Sequence, residues 1–240
     1  MTVRVAVIDS GVNATHSHIG GIAGGVAFDE DGREHADYVD RLGHGTAVAA
    51  AIREKAPDAD LFAVKVFDRA LSTRVANLVR AIDWAAQSGL DVANLSLGTA
   101  RAEHEPVLRD VVDRAASAGL FVVAARDDDG VRWLPGSLTG VISVQVDWSC
   151  PRDGYHVVVI DGVPVFRASG FPRPIPGVPP DRNLNGISFA VANMTGFLAR
   201  TLESCEDRTF DAVVAHLAAH ASAARGETHV ASAFRRTRSG

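Results

Sequence analysis

Val3-Arg4-Val5-Ala6-Val7-Ile8-Asp9-Ser10-Gly11 opens the chain and decides how the rest of it is read. Six residues dominated by β-branched side chains form a strand, and the Asp-Ser-Gly that follows is a turn. A carboxylate is therefore expected at the carboxyl end of a strand, where open α/β sheets place their sites. Similar short runs recur at Leu61 to Phe67, Val92 to Leu97, Leu120 to Ala125 and Val141 to Val146. Helical periodicity fills the gaps, at Thr46 to Glu54, Thr73 to Ser88 and Glu105 to Ala118. Val75, Leu78, Val79, Ile82 and Ala86 mark the inner face of the second helix, and Arg74, Arg80 and Asp83 its solvent side. Gly89 and Gly119 stand where helix C-termini favour glycine. Strands alternating with amphipathic helices predict an α/β fold with a mostly parallel central sheet.

Beyond Val146 the pattern changes. Tyr155 to Ile160 and Val163 to Ala168 flank Asp161-Gly162, a strong hairpin signal. Pro172, Pro174, Pro176, Pro179 and Pro180 then exclude regular helix or central strand. Helix resumes near Ser188 and runs to about Leu202, and a last helix covers Phe210 to Ala221. Residues 1 to 221 are expected to form one domain, and the small polar tail from Ser222 to be poorly ordered.

The chain has 240 residues, 47% hydrophobic, with a formal net charge of −5. That charge argues against nucleic acid and anionic membrane as partners, and Arg235, Arg236 and Arg238 are too few to reverse it. No apolar stretch approaches the roughly 20 residues that span a bilayer. Met1 leads straight into the first strand without the features of a secretory signal, so a cytoplasmic location is expected. In that compartment Cys150 and Cys205 are expected as free thiols.

Three polar residues invite chemistry, and each has a plainer reading beside it. Asp9 belongs to a turn that needs no further role. His44 lies between glycines in Gly43-His44-Gly45-Thr46, where a substrate can approach it or where it is a loop histidine. Ser188 follows Asn185-Gly186-Ile187 at a helix start, as a cap or as a nucleophile beside exposed N–H groups.

Taken together, the three blocks resemble the subtilisin-like serine peptidases. Val5-Ala6-Val7-Ile8-Asp9-Ser10-Gly11-Val12 is similar to the family's Asp motif. Gly43-His44-Gly45-Thr46, preceded by Asp40, is similar to its His motif. Gly186-Ile187-Ser188-Phe189-Ala190, with Gly196 further on, is similar to its Ser motif. The order Asp, His, Ser is that of the family, and Leu61 to Val66 and Asn94-Leu95-Ser96-Leu97-Gly98 resemble two of its strands. The resemblance implies a three-layer fold, a sheet between helices, with Asp9, His44 and Ser188 as a catalytic triad. It also implies peptide binding along Ser96, Leu97 and Gly98, and along the strand end at Ala124 and Ala125.

The sequence departs from the family at several points. Asp128, in Ala124-Ala125-Arg126-Asp127-Asp128-Asp129-Gly130, stands where an oxyanion-hole asparagine is expected. Arg126 and Asp127 replace small residues that line the substrate pocket. Glu54 to Asp58 is a simple connection in place of a calcium loop, so no metal and no cofactor are expected. Ile187, Ala192 and Asn193 replace other family residues around the nucleophile, and no prosegment precedes Asp9, which leaves room for a partner protein in folding or regulation. The expected function is a serine endopeptidase of restricted specificity, such as one maturing a peptide precursor. The rival readings are a catalytically impaired module that binds a peptide or protein, and a peptide cyclase or transpeptidase.

Overall fold

The structure is a computed structural model, and it describes residues 2–179 and 182–222. Its strands are β1 (Arg4–Asp9), β2 (Gly24–Phe28), β3 (Glu34–His35), β4 (Asp60–Lys65), β5 (Val92–Leu95), β6 (Phe121–Ala125), β7 (Asp127–Asp128), β8 (Val131–Arg132), β9 (Val141–Val146), β10 (Tyr155–Ile160) and β11 (Val163–Ala168). Its helices are α1 (His44–Lys55), α2 (Val75–Gln87), α3 (Glu105–Ser117), α4 (Ile187–Ser204) and α5 (Phe210–Ala219).

A nine-stranded sheet has the order β10-β11-β9-β6-β5-β1-β4-β2-β3. The run from β11 to β2 is parallel throughout, with antiparallel β10 and β3 at the two edges. From central β1 the chain runs out to β2 and the edge strand β3, returns to β4 between β1 and β2, then crosses to β5 and continues through β6 and β9 on the other side. The carboxyl ends of β1 and β5 therefore border the point where winding reverses, the crevice in which open α/β sheets bind ligands.

Strand periodicity assigns the two faces. Val5 and Val7 pack with α1, α4 and α5 in one core. Ala6 and Ile8 pack with α2 and α3 in the other. Asp9 continues the odd series, so its carboxylate emerges on the face covered by α1 and α4. This is the expected three-layer arrangement.

Helices α1 and α4 touch through small residues. A Cβ on Gly196 would lie 2.6 Å from Lys55 Cβ and 3.1 Å from the Ile52 carbonyl oxygen, so only glycine permits this approach. Ile52 lies eight residues after His44 (52 − 44), and Gly196 eight after Ser188 (196 − 188). Nearer the helix starts the His44 and Phe189 rings also meet, 5.6 Å apart, so the helices run side by side in the same direction and bring both N-termini to one end of the sheet.

Several elements differ from expectation. Strands β2 and β3 went unread because Gly24-Gly25 lowers strand propensity; Gly25 is needed since a Cβ there would meet the Ala63 carbonyl oxygen at 2.3 Å. Strand β5 ends at Leu95, releasing Ser96 to Gly98 from the sheet. Strands β7 and β8 form an unexpected hairpin around Asp129 (φ 48) and Gly130 (φ 77). Ser222 is anchored, its N–H donating to the Tyr155 carbonyl; the remainder of the tail lies outside the described residues. Cys150 and Cys205 are free, and burial pushes the Cys150 thiol up to about 11. Among the described residues, no helix is long and apolar enough to cross a membrane.

Candidate active site

Asp9 is fully buried, and a carboxylate in that position must be paired or it destabilises the fold. Its Oδ1 accepts the Ser10 N–H at 2.7 Å, and His44 Nδ1 lies 2.8 Å from Oδ1 and 3.0 Å from Oδ2. This pairing fixes the imidazole tautomer: Nδ1 carries the proton toward Asp9, leaving Nε2 as the free acceptor. Burial alone would lower the His44 pKa, but the Asp9 hydrogen bond and charge, with Asp40 behind, outweigh it and hold the pKa above the ordinary imidazole value. The buried Phe189 ring of α4 lies 5.6 Å from the imidazole, tilted by 49°.

The start of α1 is held from outside the helix. Its first turn carries N–H groups without intrahelical partners. Ser10 Oγ accepts the Gly45 N–H at 2.9 Å and donates to Asp40 Oδ1 at 2.9 Å. Asp40 Oδ1 also accepts the N–H groups of Leu42 and Gly43, and Oδ2 accepts the amide and hydroxyl of Thr46 at 2.8 and 2.6 Å. Burial raises the Asp40 pKa, but the Thr46, Leu42 and Gly43 donors overcome it and hold the carboxyl below its usual range. A Cβ at Gly45 would collide with the Gly11 carbonyl oxygen at 2.2 Å, so glycine is needed for α1 to approach the end of β1. Ser10 and Thr46 are positioning residues that the sequence reading left without a role.

Ser188 occupies the first turn of α4. Its hydroxyl donates to the Ser96 carbonyl at 3.3 Å. Gly186, φ 142, precedes the helix and donates its N–H to the Gly170 carbonyl at 2.9 Å. Asn193, one turn further along α4, donates to the Ser169 and Phe171 carbonyls at 2.9 and 3.1 Å, and so ties the same strap to the helix. Below it, Thr195 donates to Asn94 Oδ1, and Asn94 donates to Ser96 Oγ, each at 2.9 Å.

His44 and Ser188 line one cleft of about 230 Å³ together with Ser96, Leu97, Gly98 and Ala125. Phe67, Leu71 and Trp133 also line it, and none of these was picked out as a site residue from the sequence. Trp133 is brought in by Leu134, whose backbone pairs with Thr99 in both directions at 2.9 Å. Gly98 permits this approach, since a Cβ there would lie 2.7 Å from the Leu134 carbonyl oxygen.

The remaining expected site residues lie elsewhere. Ala124 points into the core on the α2–α3 face. Arg126 pairs with Asp127 at 3.4 Å and Asp161 at 3.1 Å, and Asp127 accepts from Gln145 at 2.7 Å. Asp128 is held in the β7–β8 hairpin, paired with Val131, and is not among the residues lining the cleft. Burial, then the charges of Asp129 and Asp127, raise its pKa. The clustered acids of the first loops have internal partners: Asp29 Oδ1 accepts the N–H groups of Asp31 and Arg33, Asp37 pairs with Arg41, and Asp40 holds α1. Among the described residues, no group of three or more His, Cys, Asp or Glu side chains is placed to share a metal ion.

Known proteins bear on this geometry. The chain is 37% identical to Subtilisin E of Bacillus subtilis (strain 168) over 137 residues, which are 53% of this chain and 35% of that protein. It is 36% identical to the Thermostable alkaline protease of Halalkalibacterium halodurans over 152 residues, 59% of this chain and 40% of that protein. The matched part thus spans well under half the length of these relatives. The fold resembles that of a cold adapted subtilisin-like serine proteinase with a TM-score of 0.70 and 24% identity, covering 94% of this chain and 86% of the other. The sequence model of the subtilase family matches residues 1–146, a stretch that holds Asp9 and His44 and ends before Ser188. The chain belongs to the subtilase family.

Proposed function

We propose that the protein is a serine endopeptidase in which Ser188 attacks a peptide carbonyl, His44 takes and returns the proton, and Asp9 orients the imidazole. The observation that carries this reading is the buried Asp9–His44 pair opening into the same cleft as Ser188. With Nδ1 committed to Asp9, Nε2 is the nitrogen that receives the serine proton. Attack requires the Ser188 hydroxyl to turn from the Ser96 carbonyl toward Nε2. The resulting imidazolium is stabilised by Asp9, and returning its proton to the leaving amine frees the acyl-enzyme for water. The developing oxyanion would be met by the Ser188 N–H at the positive end of α4, reinforced by the parallel α1.

Recognition would come from Leu97 and Gly98. Among the described residues, neither makes a backbone–backbone hydrogen bond, so both can pair with an extended substrate. The small cleft walled by Trp133 and Leu71 supports restricted specificity, of the kind that suits maturation of a peptide precursor. The free thiols fit a reducing, cytoplasmic setting.

A second reading is a peptide-binding module that does not turn over, favoured by the Ser188 hydroxyl resting on Ser96 and by the acidic residue at position 128. Incubation with a peptide library and mass analysis of the products separates the two. Hydrolysis yields fragment pairs that sum to the substrate plus one water, absent with Ser188→Ala. Peptides that bind and emerge intact from the unmodified protein would establish the second reading instead.

A further inference from the structure

We propose that a second cavity beside the cleft is a subsite for an acidic side chain of the substrate; the inference rests on the peptidase reading above and specifies what that site selects. The cavity, about 450 Å³, shares Leu97 and Gly98 with the catalytic cleft. A strand of substrate pairing with this unpaired edge passes directly over it, and because successive side chains of a strand alternate in direction, one of them is delivered into it.

Val75, Leu78 and Leu97 give the cavity an apolar wall, and its ionisable members are all basic. Arg74, Arg101 and His104 contribute to it, and no Asp or Glu does. Among the described residues, Arg74 has no carboxylate within 4.0 Å, and Arg101 has only a loose contact of 3.9 Å with Glu103, both largely exposed. Such a contact is worth little and yields readily to a better partner. The positive end of α2 opens on the same cavity, since Thr73, Arg74 and Val75 line it; its first turn holds no acidic residue, and the N-cap side chain makes no capping hydrogen bond. This positive patch belongs to a protein of net charge −5, so it is a local feature and not the overall field. Arginine suits the role because its planar fork takes a carboxylate through two hydrogen bonds.

The test uses quenched peptides in which one glutamate is walked along a neutral sequence, each paired with its glutamine twin. At one position, kcat/KM for the glutamate peptide should exceed that of its twin by roughly ten-fold at low salt, the combined effect of two rim charge pairs. The ratio should shrink toward one at high salt. Arg74→Glu combined with Arg101→Glu should turn the preference at that position from the glutamate peptide toward a lysine peptide. Both residues are exposed, so folding should survive, and a thermal melt checks it. The same pairs are titrated calorimetrically into Ser188→Ala protein, which reads selection without turnover. Glutamate-selective binding by a protein that cleaves nothing would remove the peptidase reading and leave the acidic subsite standing. Cleavage at equal rates for both twins at every position, or equal or unmeasurable binding of both, would overturn the subsite.

Discussion

The Asp9–His44 side of the cleft and the Ser188 side are held in different ways. On the first, a buried carboxylate, a helix start and three supporting side chains form one hydrogen-bonded unit, with Ser10, Asp40 and Thr46 each making at least two bonds. On the second, Ser188 stands on a helix whose start is fixed by one backbone bond to Gly170 and by Asn193, and its hydroxyl rests on a carbonyl. In the proposed mechanism the acid–base pair is thus held by hydrogen bonds before substrate arrives, while the Ser188 hydroxyl must leave the Ser96 carbonyl to join it. The subtilase family model matches residues 1–146, which hold Asp9, His44 and Ser96 but not Ser188.

The largest expected effect breaks both halves alike. Ser188→Ala and His44→Ala should each lower kcat by on the order of 10⁴-fold or more, because triad members act as a set. Ser188→Ala should leave the melting temperature nearly unchanged, since Ser188 lies in the cleft wall, whereas His44→Ala should lower it, because the buried Asp9 carboxylate loses its side-chain partner. A Ser188→Ala protein that loses stability in step with activity would assign Ser188 a structural role.

Asp40→Ala should damage only the first half. Losing hydrogen bonds to a charged, half-buried acceptor should cost about 2–3 kcal/mol of stability, and displacing the start of α1 should cost kcat roughly a hundred-fold. The pH dependence follows from its lowered pKa. The stabilisation is present above the ordinary carboxylate value and disappears as pH falls through the lower folded value, where Asp40 protonates. Denaturant melts across acid pH should therefore converge for wild type and variant, and a constant gap would contradict the role given to Asp40.

Asp128→Asn probes the second half. If the side chain swings from its hairpin to meet the oxyanion, an amide supplies the donor that a carboxylate lacks, and kcat should rise about ten-fold or more at neutral and alkaline pH. The gain should fade in acid, where the raised pKa of Asp128 favours its own donor form. Unchanged kcat at every pH would leave the oxyanion to the Ser188 N–H alone. The smallest effect is expected from chelation. EDTA should leave melting temperature and activity unchanged, because Asp29, Asp37 and Asp40 are engaged by backbone and arginine donors; a fall in melting temperature reversed by calcium would reveal a metal site.

The same division marks what could be read from the sequence. The strand ending at Asp9 and the helix starting at His44 were legible because apolar alternation and flanking glycines are local signals. The β10–β11 hairpin was legible too, and Asp161 and Gly162 adopt φ 52 and 78, as a two-residue Asp-Gly turn requires. Asp129-Gly130 carries the same signal and makes the same turn, yet its flanks Asp127, Asp128 and Arg132 are charged and do not look like strands. Arg126, Asp127 and Asp128 were assigned to the site by resemblance to the family, and in the structure Asp127 and Asp128 form the first strand of that hairpin. Trp133, Phe67 and Leu71 reach the cleft from separate segments, and no local pattern marks such a meeting.

The central claim is that Asp9 and His44 activate Ser188, and a fluorophosphonate probe with mapping of the modified residue tests it most directly. The account predicts labelling at Ser188 alone, abolished in His44→Ala. The labelling rate should fall as pH drops through a value above the ordinary imidazole pKa, because the neutral imidazole is the base and Asp9 favours its cation. A folded protein whose Ser188 stays unlabelled, or labels equally well without His44, would contradict it.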